Sequence, residues 1–241
     1  MSARRRRPAE AGAAPSRGTV LFVHGLWMTG AESFFLKRQL AAAGWTLRVF
    51  PYSSLGEPVD AVARRCARYA RMLALRTLAP VHLVGHSLGG VIVCRMFELG
   101  LLAADRFSGD FCRVVLLGSP VNGSQSGRAL AALGPMGALL GKAGREVLAC
   151  DSPAGGRCRK WTHGAQVGII AGNRPNGLGH LIAHMNEPSD GTVAVSETLL
   201  DGATAHCVLS ASHMGMLMSE EVAVQITSFL DSGHFGHRAA T

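Results

Sequence analysis

A serine stands in the pentapeptide Gly85-His86-Ser87-Leu88-Gly89, between an apolar run that is typical of a strand and a stretch that is typical of a helix. Glycines two positions before and after Ser87 allow the very tight turn that such a junction needs. The turn exposes the hydroxyl at the edge of a sheet, above a helix N-terminus that favours developing negative charge. The pattern predicts Ser87 as the nucleophile of an acyl-transfer reaction; the alternative is a glycine-rich turn with an idle serine.

The oxyanion that forms in such a reaction needs two hydrogen-bond donors. One is predicted to be the backbone N–H of Leu88, the residue after the nucleophile. The other is predicted to be the N–H of Leu26, in the His24-Gly25-Leu26-Trp27 loop after the first predicted strand. Gly25 lets the backbone of this loop turn toward the site, although His24-Gly25 could also be simply the start of a loop.

The side chains beside these donors have predicted roles of their own. Trp27 is expected to line an acyl pocket, and His86, next to the nucleophile, is expected to contact the substrate. His24 precedes the serine in the chain, and it is expected to hold its loop by hydrogen bonds rather than to act as the base.

A histidine and an acidic residue must follow the serine to complete the catalytic set. His213 lies in the loop after the sixth predicted strand, where the general base belongs. The predicted acid is Asp190, in a turn marked by Gly191, and its task is to hold the imidazole tautomer and stabilise the imidazolium. Asp201 is its chief rival and Glu187 a lesser one, and an ordinary surface turn is the alternative for Asp190.

Two further histidines have the spacing of a metal-binding pair, because His180 and His184 could share one face of a helix. Glu187 is near, but no clear third ligand follows at a diagnostic spacing. We therefore predict no metal.

The elements that must position these groups alternate between strand and helix along the chain. Strands are predicted near residues 19–23, 45–50, 81–84, 113–117, 167–171 and 205–209. Helices are predicted near residues 31–43, 58–75, 88–99, 126–133, 136–149 and 219–231. Continuously apolar strands that alternate with helices form a parallel sheet covered on both faces, which binds ligands at the carboxyl ends of its strands. The predicted fold class is α/β, with a mostly parallel sheet of about six strands.

The length of 241 residues suits one domain. Residues 18–233 are predicted to form it, with a flexible basic tail over 1–17 and a C-terminal tail over 234–241. Residues 120–164 are rich in Gly, Ser and Ala and are predicted to form a small lid region, which could be mobile. Five apolar side chains of this region could line an acyl groove or simply pack in the core: Leu130, Leu133, Met136, Leu139 and Leu140.

The composition argues against several other functions. The net charge of +8 could attract nucleic acid or anionic lipid, but no nucleic-acid motif accompanies it, so no nucleic-acid partner is expected. No apolar run reaches the length of a membrane span, and no apolar segment follows the basic N-terminus as in an export signal. The expectation is a cytoplasmic protein, with peripheral membrane contact and the oligomeric state left open.

Most of the six cysteines fall in apolar segments and are predicted to be buried free thiols. Cys150 and Cys158 flank a loop and could form a disulfide in an oxidising compartment. The buried cysteines are predicted to be Cys66, Cys94, Cys112 and Cys207.

With Ser87, His24-Gly25, Asp190-Gly191 and His213 in place, the chain resembles the α/β-hydrolase superfamily over roughly residues 19–231. At the His24-Gly25-Leu26 loop, at 118–124 and at 189–193 it looks like the lipase and esterase branch. There it is similar to bacterial triacylglycerol lipases and inositol-deacylase-like proteins. The calcium-binding carboxylates of some lipases and their export signal are not found in this sequence.

The resemblance implies an α/β-hydrolase fold and hydrolysis of a small-molecule or lipid ester through an acyl-enzyme, with no cofactor. An acyltransferase or thioesterase with the same triad is the main alternative, because pocket shape and water exclusion set the acceptor. A non-catalytic binding protein of the same fold is a weaker alternative, since such a protein has no need of the full triad.

Overall fold

The computed structural model describes residues 17–78, 80–102, 109–147, 160–175 and 185–236. Six strands form one sheet in the order β2-β1-β3-β4-β5-β6, and every pair of neighbours is parallel. The strands are β1 Gly18–Val23, β2 Trp45–Val49, β3 Val81–His86, β4 Gly109–Leu117, β5 Ala165–Gly172 and β6 Ala205–Leu209. The predicted parallel α/β sheet of about six strands is confirmed.

The helices flank this sheet, together with short 3-10 turns over 31–33, 134–140, 196–198 and 215–218. They are α1 Phe34–Ala42, α2 Val59–Thr77, α3 Leu88–Glu98, α4 Gln125–Ala132, α5 Gly141–Val147 and α6 Glu220–Ser232. The predicted cap of α6 is present, because the Ser219 hydroxyl accepts a hydrogen bond from the N–H of Val222.

Alternate residues of the central strands enter two separate cores on the two faces of the sheet. On one face, Leu21 and Val23 of β1 lie in a cluster with buried side chains of α2 and α3. On the other, Val20 and Phe22 belong to a cluster with buried side chains of α1 and α6. β1 and β3 are buried along their whole length, which is why most of their side chains are apolar; Thr19, His82 and His86 are buried polar exceptions.

The lid region, which we call the cap and define as residues 120–147 of the structure, packs on the face that carries α2. The predicted helical stretch over 136–149 is divided into two pieces in the described residues, because Gly141 has a φ of +63° and separates a 3-10 turn from α5. Leu130 and Leu140 are buried in the core, whereas three other apolar side chains are about half-exposed: Leu133, Met136 and Leu139.

Several predictions fall on parts of the chain outside the described residues. They are the basic tail over 1–16, the lid residues 148–159 with Cys150 and Cys158, and the pair His180 and His184. The four cysteines in the described ranges are not joined by disulfides; Cys66, Cys94 and Cys112 are buried as predicted, whereas Cys207 is only half-buried. No helix of the described ranges is both long and apolar enough to cross a membrane.

The beginning of the predicted C-terminal tail is packed on the protein instead. The ring of Phe235 lies 5.1 Å from that of Phe229 in α6. The amide of Gln225 donates to the carbonyl of Gly236, and the hydroxyl of Ser228 to that of His234. Residues 234–236 of the predicted C-terminal tail therefore contact α6, where the ring of Phe235 finds an apolar surface.

Buried His82 in β3 gives the fold a dependence on pH. Its Nδ1 atom accepts a hydrogen bond from the backbone N–H of Arg113 at 3.0 Å, and burial lowers its pKa to about 4. The imidazole of His82 therefore binds a proton more readily in the unfolded chain than in the folded protein. The stability that neutral His82 contributes is complete above about pH 6.5, and it is lost as the pH falls toward 4.

We expect the substitution His82→Asn to remove this loss of stability at acidic pH, because an amide does not titrate. The free energy of unfolding of the wild type, from urea titrations between pH 7 and pH 4, should fall by about 3 kcal/mol more than that of the variant. Parallel curves for the two proteins would contradict the assignment.

Candidate active site

Ser87 occupies a strained turn between β3 and α3. Its φ of 55° and ψ of −126° are rare for a residue with a side chain, and the structure around it holds it there. A Cβ atom added at Gly85 would lie 2.4 Å from the backbone of Gly90, and one added at Gly89 would lie 2.0 Å from the carbonyl oxygen of Val23. The predicted tight turn is present, and the glycines are required by backbone contact.

His213 and Asp190 form a buried pair next to this turn. The Nδ1 atom of His213 lies 2.6 Å from Oδ2 of Asp190, and both side chains are buried. The other carboxylate oxygen accepts hydrogen bonds from the N–H groups of Thr192 at 2.9 Å and Val193 at 2.7 Å. The N–H of His213 also donates to the backbone carbonyl of Asp190, so both residues are fixed in orientation.

The sheet register brings the pair and the serine to the same edge. The N–H of Ser87 donates to the carbonyl of Leu117 at the end of β4, and the N–H of Gly118 donates to that of Ile170 in β5. A Cβ atom added at Gly118 would lie 2.7 Å from Asp190 Oδ2 and 3.2 Å from His213 Nδ1. Within the described ranges the Ser87 hydroxyl makes no hydrogen bond, and such contacts commonly tighten only when substrate binds.

His86 does not have the predicted contact with substrate, because its side chain is completely buried. Its Nε2 atom lies 3.0 Å from the backbone carbonyl of His213, and the two rings are 4.7 Å apart. Burial lowers the pKa of His86 to about 3, so the ring is neutral and its Nε2–H donates to that carbonyl. His86 therefore supports the loop of the proposed base from behind.

The loop that follows β1 lies directly against Ser87, since a Cβ atom added at Gly25 would be 3.0 Å from Cβ of Ser87. The Nδ1–H of His24 donates to the carbonyl of Gly25 at 3.0 Å. The peptide between Gly25 and Leu26 is trans and planar, so its carbonyl and the Leu26 N–H point in opposite directions. The hydrogen bond from His24 to the carbonyl therefore also fixes the direction of the Leu26 N–H. In the described part of the chain, the N–H groups of Leu26 and Leu88 have no hydrogen-bond acceptor.

His24 is itself held in place by Tyr52. The two rings stack at 4.2 Å, and the Tyr52 hydroxyl donates to the His24 carbonyl at 2.7 Å. Burial lowers the pKa of His24 and favours the neutral ring. The structure thus places His24 where the sequence predicted it, as a support of the loop.

The rivals of Asp190 lie elsewhere. The carboxylate of Asp201 is largely exposed and lies 4.0 Å from the ammonium group of Lys160. Glu187 accepts a hydrogen bond from the Gln125 amide at the start of α4. Neither makes a hydrogen bond to His213, whereas Asp190 does.

Glu197 is a buried carboxylate that sequence reasoning missed. It accepts hydrogen bonds from the N–H of Gln125 in the cap and from the N–H of Ala194, which follows the turn of Asp190. Burial raises its pKa. Its link to Gln125 spans 72 positions in the chain, so no local pattern could have indicated it.

Metal ligands do not converge in the described ranges, where no three His, Cys, Asp or Glu side chains are placed to hold an ion. The site contains a serine, a loop whose Leu26 N–H group has no acceptor among the described residues, and a buried His–Asp pair. Such a set can carry out nucleophilic acyl transfer.

A serine elbow after a central parallel strand, with an acid and a histidine at the ends of later strands, defines an α/β-hydrolase fold. The sequence model of the Alpha/beta hydrolase family matches residues 20–239, and the chain belongs to this family. The predicted membership of this superfamily is confirmed.

Solved structures with the same fold include several hydrolases. The mature lipase BlEst2 of Bacillus licheniformis is 17% identical, with 98% of this chain and 96% of that chain covered and a TM-score of 0.68. Phospholipase PlaB of Legionella pneumophila is 17% identical over 90% of this chain and 60% of its own, with a TM-score of 0.66. The RedJ thioesterase of Streptomyces coelicolor is 12% identical over 93% and 90%, with a TM-score of 0.54. No curated protein matches the chain in sequence.

Gly89 should not tolerate even a methyl group, because the added carbon would meet backbone at 2.0 Å. We expect Gly89→Ala to lose folded protein, or to fold with its melting temperature lowered by several degrees. The control is Gly56→Ala, where the added carbon meets only the Ser53 side chain, at 3.5 Å or more. Thermal melts of the two variants test this, and a Gly89→Ala protein as stable as Gly56→Ala would contradict the packing argument.

Proposed function

We propose that this protein is a serine hydrolase that cleaves carboxylic esters through an acyl-enzyme. Ser87 is the nucleophile, His213 the general base and Asp190 the acid that orients it. The observation that carries the proposal is the buried 2.6 Å contact between His213 and Asp190 beside the strained turn of Ser87.

In the first half of the reaction, the Ser87 oxygen attacks the ester carbonyl carbon while Nε2 of His213 takes the hydroxyl proton. The carbonyl oxygen becomes an oxyanion and accepts hydrogen bonds from the N–H groups of Leu26 and Leu88. When the intermediate collapses, the C–O bond to the alcohol breaks, and His213 returns the proton to the leaving oxygen.

In the second half, water attacks the Ser87 ester and gives a proton to His213. The acid leaves when the bond between its carbonyl carbon and the Ser87 oxygen breaks, and the proton returns to that oxygen. Asp190 holds the ring so that Nδ1 carries a hydrogen and Nε2 is free to accept one. The two N–H donors on its other oxygen keep the carboxylate in this orientation.

The surroundings of the site suit an apolar acyl group. Trp27 is half-exposed next to Leu26, and the cap to which its indole is bonded carries three half-exposed apolar side chains: Leu133, Met136 and Leu139. BlEst2 and PlaB, which share the fold, are a lipase and a phospholipase by name. These observations support the lipase and esterase branch, with a small-molecule or lipid ester as substrate.

Thioester hydrolysis is the second candidate, because the RedJ thioesterase shares the fold. The same residues would serve, since a thioester also passes through an acyl-enzyme and an oxyanion. Comparison of p-nitrophenyl esters with acyl thioesters of equal chain length separates the two candidates by their ratio of kcat/KM.

Ser87→Ala should abolish turnover, because no other nucleophile is proposed. We expect hydrolysis of a p-nitrophenyl ester series from acetyl to palmitoyl to fall by about 10⁴-fold or more. Covalent labelling by a fluorophosphonate should disappear in parallel. A wild type that neither turns over any ester or thioester nor takes up the label would overturn the proposal, as would an active Ser87→Ala protein.

Asp190→Asn should leave the fold intact but lower kcat by about 10³- to 10⁴-fold, because an amide favours the wrong imidazole tautomer. Asp201→Asn is the matched control, since this carboxylate is largely exposed and does not contact His213; it should stay within about twofold of the wild type. Steady-state kinetics on one ester gives the comparison. Equal effects of the two substitutions would mean that Asp190 is not the acid.

A further inference from the structure

Trp27 has a backbone conformation that bulky residues rarely adopt. Its φ is 58°, and in the described ranges only Leu78 and Ser87 share a positive φ among residues other than glycine. Trp27 directly follows Leu26, the proposed oxyanion donor. The strained residue is therefore covalently next to the group whose direction matters most for the reaction.

Two hydrogen bonds hold Trp27 in this conformation. Its backbone N–H donates to the hydroxyl of Ser54 at 3.0 Å, and its indole Nε1–H donates to the carbonyl of Leu139 at 2.7 Å. The first partner lies in the loop after β2. The second lies in the cap, in the 3-10 turn over residues 134–140.

The cap and the loop after β2 are in turn fastened to each other. The N–H of Lys142 donates to the carbonyl of Leu55 at 3.0 Å, and a Cβ atom added at Gly141 would lie 2.5 Å from Cα of Leu55. Trp27, the residues around Ser54 and the cap therefore form a closed set of contacts around one edge of the site. Among the described residues, the indole bond is the one polar link in this set that depends on the side chain of Trp27.

We infer that Trp27 is a positioning residue that couples the cap to the loop over residues 24–28, which we call the oxyanion loop. With the cap seated, the bond from the indole to Leu139 holds the left-handed backbone of Trp27, and this keeps the N–H of Leu26 directed at the oxyanion. This effect of Trp27 on the reaction passes through Leu26, whereas the aromatic surface that its half-exposed ring offers to the acyl group is kept in a phenylalanine variant. The inference rests on the proposed ester hydrolysis.

Trp27→Phe removes the indole N–H and keeps an aromatic ring. The matched control is Trp45→Phe, because the buried Nε1–H of Trp45 has no partner among the described residues and Trp45 lies in the core below α1. Ser54→Ala is a second variant, which removes the other bond to Trp27 without changing the tryptophan.

Steady-state kinetics on the best p-nitrophenyl ester should show that Trp27→Phe lowers kcat about tenfold with KM within about twofold, since loss of an oxyanion donor outright costs more. A trifluoromethyl ketone that matches the acyl group, and binds as an oxyanion adduct, should weaken in proportion to kcat/KM. Ser54→Ala should behave in the same way, and Trp45→Phe should leave kcat and the inhibitor unchanged.

Hydrogen–deuterium exchange of the peptide that contains residues 24–28 provides a readout independent of activity. Exchange should increase in Trp27→Phe and in Ser54→Ala, but not in Trp45→Phe. Three results would overturn the inference. A change in KM alone would mean that Trp27 acts only through contact with the substrate. A rise in kcat/KM would mean that the indole bond holds the cap closed over the site. Unchanged exchange would mean that Trp27 does not hold its loop. A wild type inert to esters, thioesters and fluorophosphonate would instead overturn the proposed function, while the exchange data would still decide whether Trp27 holds its loop.

Discussion

The start of α3 packs directly against the backbone at the end of β1, with no side chain between them. A single carbon added at Gly89 would meet the carbonyl oxygen of Val23 at 2.0 Å. This contact fixes the distance between the turn that carries Ser87 and the loop that carries Leu26. The proposed nucleophile and the proposed oxyanion donor are thereby held at a distance that is set by close packing of backbone against backbone.

Burial of polar groups around this contact keeps the histidines in defined forms. His24 and His86 are removed from water, burial lowers the pKa of each, and each neutral ring has a nitrogen placed to donate to a backbone carbonyl. The ring of His213 differs because it faces a carboxylate, that of Asp190. One residue type thus serves as support in two places and as the proposed base in a third, according to its partner.

The cap is joined to both halves of the site. On one side the indole of Trp27 reaches the carbonyl of Leu139. On the other, the hydroxyl of Ser126 donates to the carbonyl of Thr192, and Glu197 accepts from the start of α4 and from the residue after the Asp190 turn. The cap therefore contacts the loop that carries Leu26 and the residues that follow Asp190, so its placement bears on both sides of the proposed site.

The sequence by itself determined the strands, the elbow and the candidate Ser87, Asp190 and His213, because glycine spacing, apolar runs and chain order are local properties. It could not determine what His86 faces, since a buried and an exposed position next to the serine look alike in the chain. Nor could it find Glu197 or the bond from Trp27 to the cap, whose partners lie 72 and 112 positions away. Those contacts were decided by the tertiary structure alone, because only the packing of distant segments brings a donor and an acceptor within hydrogen-bond distance.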